Sequence, residues 1–161
     1  MKHVLAALAL LLGLGAAVAG ARPSPPEPIA ARELAQAVRE HRPGLTVVDL
    51  RGPVAAAPDA LPGAVDHLPK PAAGPVVLYG PEPRVRSAAA ELRARGARDL
   101  RLLEGGADAW RDEVLSPVLP PDLARWTDEE RRIAELSAWF GGAPRTSADT
   151  PAPEPGRRRG C

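Results

Sequence analysis

Cysteine is nearly absent: the chain has 161 residues and a single thiol, Cys161. One thiol closes no internal disulfide and builds no paired-cysteine metal site, so the fold must hold by its core. Lysine is almost as scarce, with only Lys2 and Lys70, while arginine is plentiful. A GC-rich coding sequence accounts for that bias, and we read no function from it. An excess of charge is also missing. There are 21 Lys plus Arg against 20 Asp plus Glu, and loss of an N-terminal segment carrying Lys2 would balance them. Global charge therefore gives no argument for nucleic acid, and three arginines near the C-terminus do not make a nucleic-acid module. Metal-ligand spacing is lacking too. His41 and His67 have no His-Glu-x-x-His or cysteine companions, so neither a metal nor a cofactor is expected.

What is present begins with Met1-Lys2-His3 followed by an uncharged apolar run from Val4 to Ala19. That order reads as a secretory signal, residues 1–21, with small-x-small cleavage sequences after Ala19 or Ala21. A run of about 16 residues is short for a membrane span. The expected product is exported, periplasmic or extracellular, without a stable span after cleavage; an uncleaved N-terminal anchor is the alternative. Residues 22–28 hold four prolines and read as an extended linker.

Folded structure is then expected over 29–118. Ile29, Leu34, Ala37 and Val38 fall at helical spacing from Ile29 to His41. Leu45 to Leu50 and Pro75 to Tyr79 are compact apolar runs bounded by glycine and proline, the pattern of buried strands, and Leu100 to Leu103 is a third. Ala64 to Leu68 reads as a short strand. Helices are expected at Val85 to Gly96 and Ala107 to Glu113. Strands alternating with helices predict an α/β fold with a parallel sheet and helices on both faces. A C-terminal helical extension, 119–142, contains an amphipathic helix from Thr127 to Phe140 opened by Thr127-x-x-Glu130, which has capping-box spacing. Residues 143–161 read as a disordered basic tail.

Three stretches, in order and spacing, resemble the rhodanese superfamily. Val47-Val48-Asp49-Leu50-Arg51 matches that family's strand ending in Asp-x-Arg; Leu61-Pro62-Gly63-Ala64 is similar to its Ile-Pro-Gly-Ala turn, with Ala60 where a histidine is usual; Leu103-Glu104-Gly105-Gly106 with Trp110 matches its Gly-Gly-x-x-x-Trp segment. The resemblance implies a three-layer rhodanese-like fold plus the extra C-terminal helix. It also implies a catalytic cysteine opening the loop after the strand Pro75 to Tyr79, and that position is Gly80. The family's mechanism needs a thiolate that takes a sulfur atom as a persulfide. Gly80 removes it, and Pro81 and Pro83 remove backbone donors that would cradle the sulfur. The phosphatase branch of the fold, which also attacks through a loop cysteine, loses its nucleophile with it.

The resulting expectation is a binding or scaffolding module rather than an enzyme, acting on an unknown protein partner or small anion through the crevice at residue 80 or the C-terminal helix. Asp49, Arg51, Arg84 and Arg86 are the candidate ligand-binding residues. For Asp49 and Arg51 a structural pair is the favoured reading, and for Arg84 and Arg86 solvated arginines are. Trp110, Trp126 and Trp139 read as core or docking aromatics. Two alternatives stay open, both resting on Cys161 beside Arg157, Arg158 and Arg159: a sulfurtransferase or sulfur carrier using the tail thiol, and a disulfide-linked homodimer.

Overall fold

A computed structural model describes residues 25–53, 60–70 and 74–146. The expected signal segment, the tip of the loop after Pro53, and the tail with Cys161 lie outside the described residues.

Four short strands form one sheet: β1 (Glu27–Ile29), β2 (Thr46–Asp49), β3 (Val76–Tyr79) and β4 (Leu100–Leu103), in the order β1-β4-β3-β2 with every pairing parallel. Val65 adds an isolated parallel bridge to Val48, which is all that forms of the strand expected at Ala64 to Leu68. The apolar runs are continuous rather than alternating because both faces are covered. Val47, Val77, Tyr79 and Leu103 face one cluster with Leu34 and Ala35 of α1 (Ala31–Arg39), Trp110 and Leu136. Val48, Val76 and Leu78 face the other, with Val85, Ala88, Ala89 and Leu92 of α2 (Glu82–Ala94). The molecule is α/β, with helices on both sides of a parallel sheet.

Several boundaries differ from the sequence expectation. Residues 27 and 28 belong to β1 rather than a linker: Glu27 sits opposite Arg101 and Pro28 opposite Leu102. An edge strand tolerates that proline, because only one side of it is paired. Ile29 closes this strand, 3 % exposed, instead of opening a helix. α2 starts at Glu82 rather than Val85. Pro81 caps it in an extended conformation and Pro83 falls in the first turn, where a missing N–H costs no intrahelical bond. After β4, Gly105 adopts a left-handed conformation (φ 63°) and α3 (Gly106–Ala109) passes into a π-helical turn, Trp110–Leu115.

The boundary expected at 118 falls inside β5 (Val118–Leu119), which pairs with β6 (Arg145–Thr146) at the start of the expected tail. Between them α4 (Asp128–Trp139) opens with the capping box anticipated at Thr127 and Glu130. Leu136 joins the α1 core cluster, and Ser137, fully buried, donates to the Leu115 carbonyl at 3.1 Å. The extension is thus packed onto the sheet domain through the same core. No helix among the described residues is long and apolar enough to cross a membrane.

Candidate functional site

The C-terminal ends of β2, β3 and β4 open on one crevice of about 470 Å³, within the range of about 300–1,000 Å³ usual for ligand pockets. Its position follows the rule that open parallel sheets bind ligands beyond the carboxyl ends of their strands. Arg51 reaches it from the end of β2. Tyr79, Gly80, Pro81, Glu82 and Val85 come from β3 and α2. Leu102, Leu103, Gly105, Gly106, Ala107 and Asp108 come from β4 and α3.

Beneath it lies a buried polar network. Asp49, 1 % exposed, ends β2, and Tyr79, also buried, ends β3; they are paired across the sheet. The Tyr79 hydroxyl donates to Asp49 Oδ2 at 2.8 Å and accepts the Leu61 N–H at 3.2 Å. Arg51 donates to the same carboxylate through its backbone N–H (2.9 Å to Oδ1), its Nε (3.1 Å to Oδ1) and its Nη2 (2.8 Å to Oδ2). Its guanidinium carbon lies 5.2 Å from the centroid of the Tyr79 ring, in cation–π range. Burial alone would push the Asp49 carboxyl up, but the hydrogen bonds from the Arg51 side chain, the Arg51 amide and Tyr79 outweigh it and hold the group below the ordinary carboxylate range. Tyr79 is pushed up to about 12, first by burial and then by the carboxylate it serves, against the opposing Leu61 amide.

Gly80 follows directly and has φ +138°, a conformation side chains rarely adopt. A Cβ there would stand 3.0 Å from the carbonyl carbon and the Cβ of Leu50 and 3.2 Å from the nitrogen of Arg51. The end of β2 has closed over the place where a side chain at position 80 would begin. The helix terminus behind it is also poor in donors. Pro81 and Pro83 have no N–H, and the amides of Arg84 and Val85 both bond the Pro81 carbonyl, at 2.9 and 3.1 Å. Glu82 puts a carboxylate in the first turn, where it complements the helix dipole in place of an external anion.

No family model, curated protein or solved structure matches the chain.

The four candidate residues separate. Asp49 and Arg51 come together as a pair, with only Arg51 on the crevice wall. Arg84 is not among the lining residues: its Nη1 donates to the carbonyls of Leu50 and Arg51 at 3.0 and 2.9 Å, tying α2 to the loop after β2. Arg86 pairs with Glu82 on the exposed face of α2 and does not line the crevice. Convergence of Arg51, Arg84 and Arg86 on one anion is therefore corrected. The two distal arginines lie two residues apart, on different sides of the first turns of a helix whose N-terminus already disfavours cations, and each has found an acceptor within the chain. Among the tryptophans, Trp110 is core, edge-on to Phe140 at 4.9 Å. The indole N–H of Trp126 bonds the Pro120 carbonyl at 2.8 Å, and Trp139 is half exposed. Cys161 lies outside the described residues.

Tyr79 is the member that sequence reasoning missed. The signal was available, since it is the chain's sole tyrosine and ends an apolar strand next to Gly80. Glu82 and Asp108, the two acidic groups on the wall, were also missed; nothing in their local sequence marks them.

Proposed function

We propose that this chain is an exported rhodanese-like domain that has given up the loop nucleophile and serves as a binding module through the crevice beyond β3. Three separated stretches carry the resemblance, and residues from two of them, Arg51 and Gly105 with Gly106, meet Gly80 on one crevice wall; Leu61 of the remaining stretch bonds Tyr79 beneath it. The parallel sheet with helices on both faces fits the same reading.

The observation that carries the non-catalytic part is Gly80. The position lacks a thiol, and its positive φ and the close packing of Leu50 and Arg51 against it make any side chain there strained. The network of Asp49, Arg51 and Tyr79 then acts as a structural clamp for the loop, and the crevice it supports is the binding surface.

The test is the intact mass of the mature chain after incubation with thiosulfate, beside a Cys161→Ser variant. Sulfur transfer would form a new S–S bond to a chain thiolate and release sulfite, adding one sulfur atom. The reading expects no such increment on either protein. An increment on the unaltered chain that vanishes in Cys161→Ser would replace it with a sulfur carrier working through the tail thiol.

A further inference from the structure

Among the described residues, every charged side chain that lines the crevice is ion-paired within the chain. Arg51 is bidentate to buried Asp49. Glu82 pairs with Arg86 four residues on, and Asp108 with Arg111 three residues on. The other described lining residues carry no charge: Val85, Leu102 and Leu103 line it with apolar groups, and the Tyr79 hydroxyl is already committed to Asp49. A charged ligand entering here would lose hydration and meet no unmatched counter-charge. An apolar group would displace water from an apolar lining. The wall beside that lining is main chain, since Gly80, Gly105 and Gly106 present no side chains. Bare backbone of this kind lets another polypeptide approach closely.

We propose that the crevice takes an uncharged apolar side chain of a partner polypeptide, aromatic or branched, and not a small anion. This inference rests on the reading of the crevice as a binding site and names its ligand class. The same self-pairing predicts how selectivity can be changed. Removing the carboxylates of Glu82 and Asp108 takes away the partner of Arg86 and leaves Arg111 with Asp112 alone, and shifts the rim towards positive charge.

The experiment is an amide-resolved NMR titration of the mature chain with N-acetyltryptophanamide, indole, thiosulfate and N-acetyllysinamide, each to about 10 mM, enough to populate a complex of about 1 mM Kd. Saturable shifts at Gly80, Gly105 and Gly106 are expected with N-acetyltryptophanamide, and about tenfold weaker ones with indole, which lacks a main chain. Thiosulfate and the lysine amide should leave those signals in place. The Ala107→Glu variant sets an unpaired carboxylate in the wall, and it should lose the tryptophanamide shifts while keeping its circular dichroism. The double variant Glu82→Gln with Asp108→Asn should gain shifts with thiosulfate. Thiosulfate shifts in the unaltered protein, no shift with any probe, or equal affinity for indole would each overturn the proposal. Binding of thiosulfate without turnover would sink this inference alone, whereas thiosulfate turnover would sink the non-catalytic reading.

Discussion

The hydroxyl of Tyr79 and the carboxylate of Asp49 meet at 2.8 Å because they occupy the same register at the ends of neighbouring parallel strands. The contact links β3 to β2 one residue before Gly80, and Arg51 closes it from above. Truncation should be felt throughout this corner. Tyr79→Phe removes one donor to Asp49 and the acceptor for the Leu61 amide. It should cost about 1–2 kcal/mol in urea unfolding. Asp49→Ala strands the Tyr79 hydroxyl and the Arg51 guanidinium together and should cost more, about 3 kcal/mol. Equal stability of Asp49→Ala and the unaltered protein would show that the network does not hold the corner.

The two groups give opposite pH dependences. Asp49 is held below its ordinary value when folded. Its contribution is present above the unfolded pKa of about 3.9 and is lost as pH falls through the folded value. Tyr79 is raised to about 12. Its contribution is present below the unfolded pKa of about 10 and is lost between there and the folded value as pH rises. Because the chain has one tyrosine, near-ultraviolet absorbance reads its ionisation directly. Its midpoint should lie near 12 in the folded protein and near 10 in denaturant. A midpoint near 10 in the folded state would contradict the burial and hydrogen bonding described.

Arg84 and Arg86 are two residues apart and should behave differently. Arg84 joins α2 to the carbonyls of Leu50 and Arg51, so Arg84→Ala should destabilise by about 1 kcal/mol. It should also speed amide exchange around residues 50–53. Arg86→Ala loses an exposed pair with Glu82 and should stay within about 0.5 kcal/mol of the unaltered protein. The reverse order would contradict the roles given to the two arginines.

Much of this was legible in the sequence, for identifiable reasons. β2, β3 and β4 are apolar runs between glycines and prolines, and the Thr127 capping box fixes the start of α4 by local hydrogen bonds. Local pattern failed where tertiary contact decides. Pro28 reads as linker, yet β1 forms because β4 offers a partner edge. Val85 reads as the helix start because Pro81 and Pro83 look like breakers, although prolines suit a first turn. Asp49 and Arg51 were legible as a pair two residues apart. Tyr79 stood out as the sole tyrosine at a strand end, but its tie to Asp49, 30 residues away, is set by strand register. The destinations of Arg84 and Arg86 depend on which way a helix faces, which composition does not reveal.

Gly80→Cys would place a thiol on this loop, and it should not create a sulfur-transfer site. A side chain at φ +138° with Leu50 and Arg51 within 3.0–3.2 Å should cost about 2 kcal/mol. Gly80→Ala should lose a similar amount, showing that space and backbone conformation, rather than the thiol, set the penalty.

The most direct test of the central claim is steady-state sulfur transfer from thiosulfate to cyanide, which releases thiocyanate and sulfite, by the purified protein and its Gly80→Cys variant. The account predicts no turnover by either, because the loop lacks a thiol in the first and would hold one in a strained, donor-poor setting in the second. Turnover by the unaltered chain would contradict the claim outright, and turnover gained by Gly80→Cys would show that the loop had kept the shape of a sulfur site.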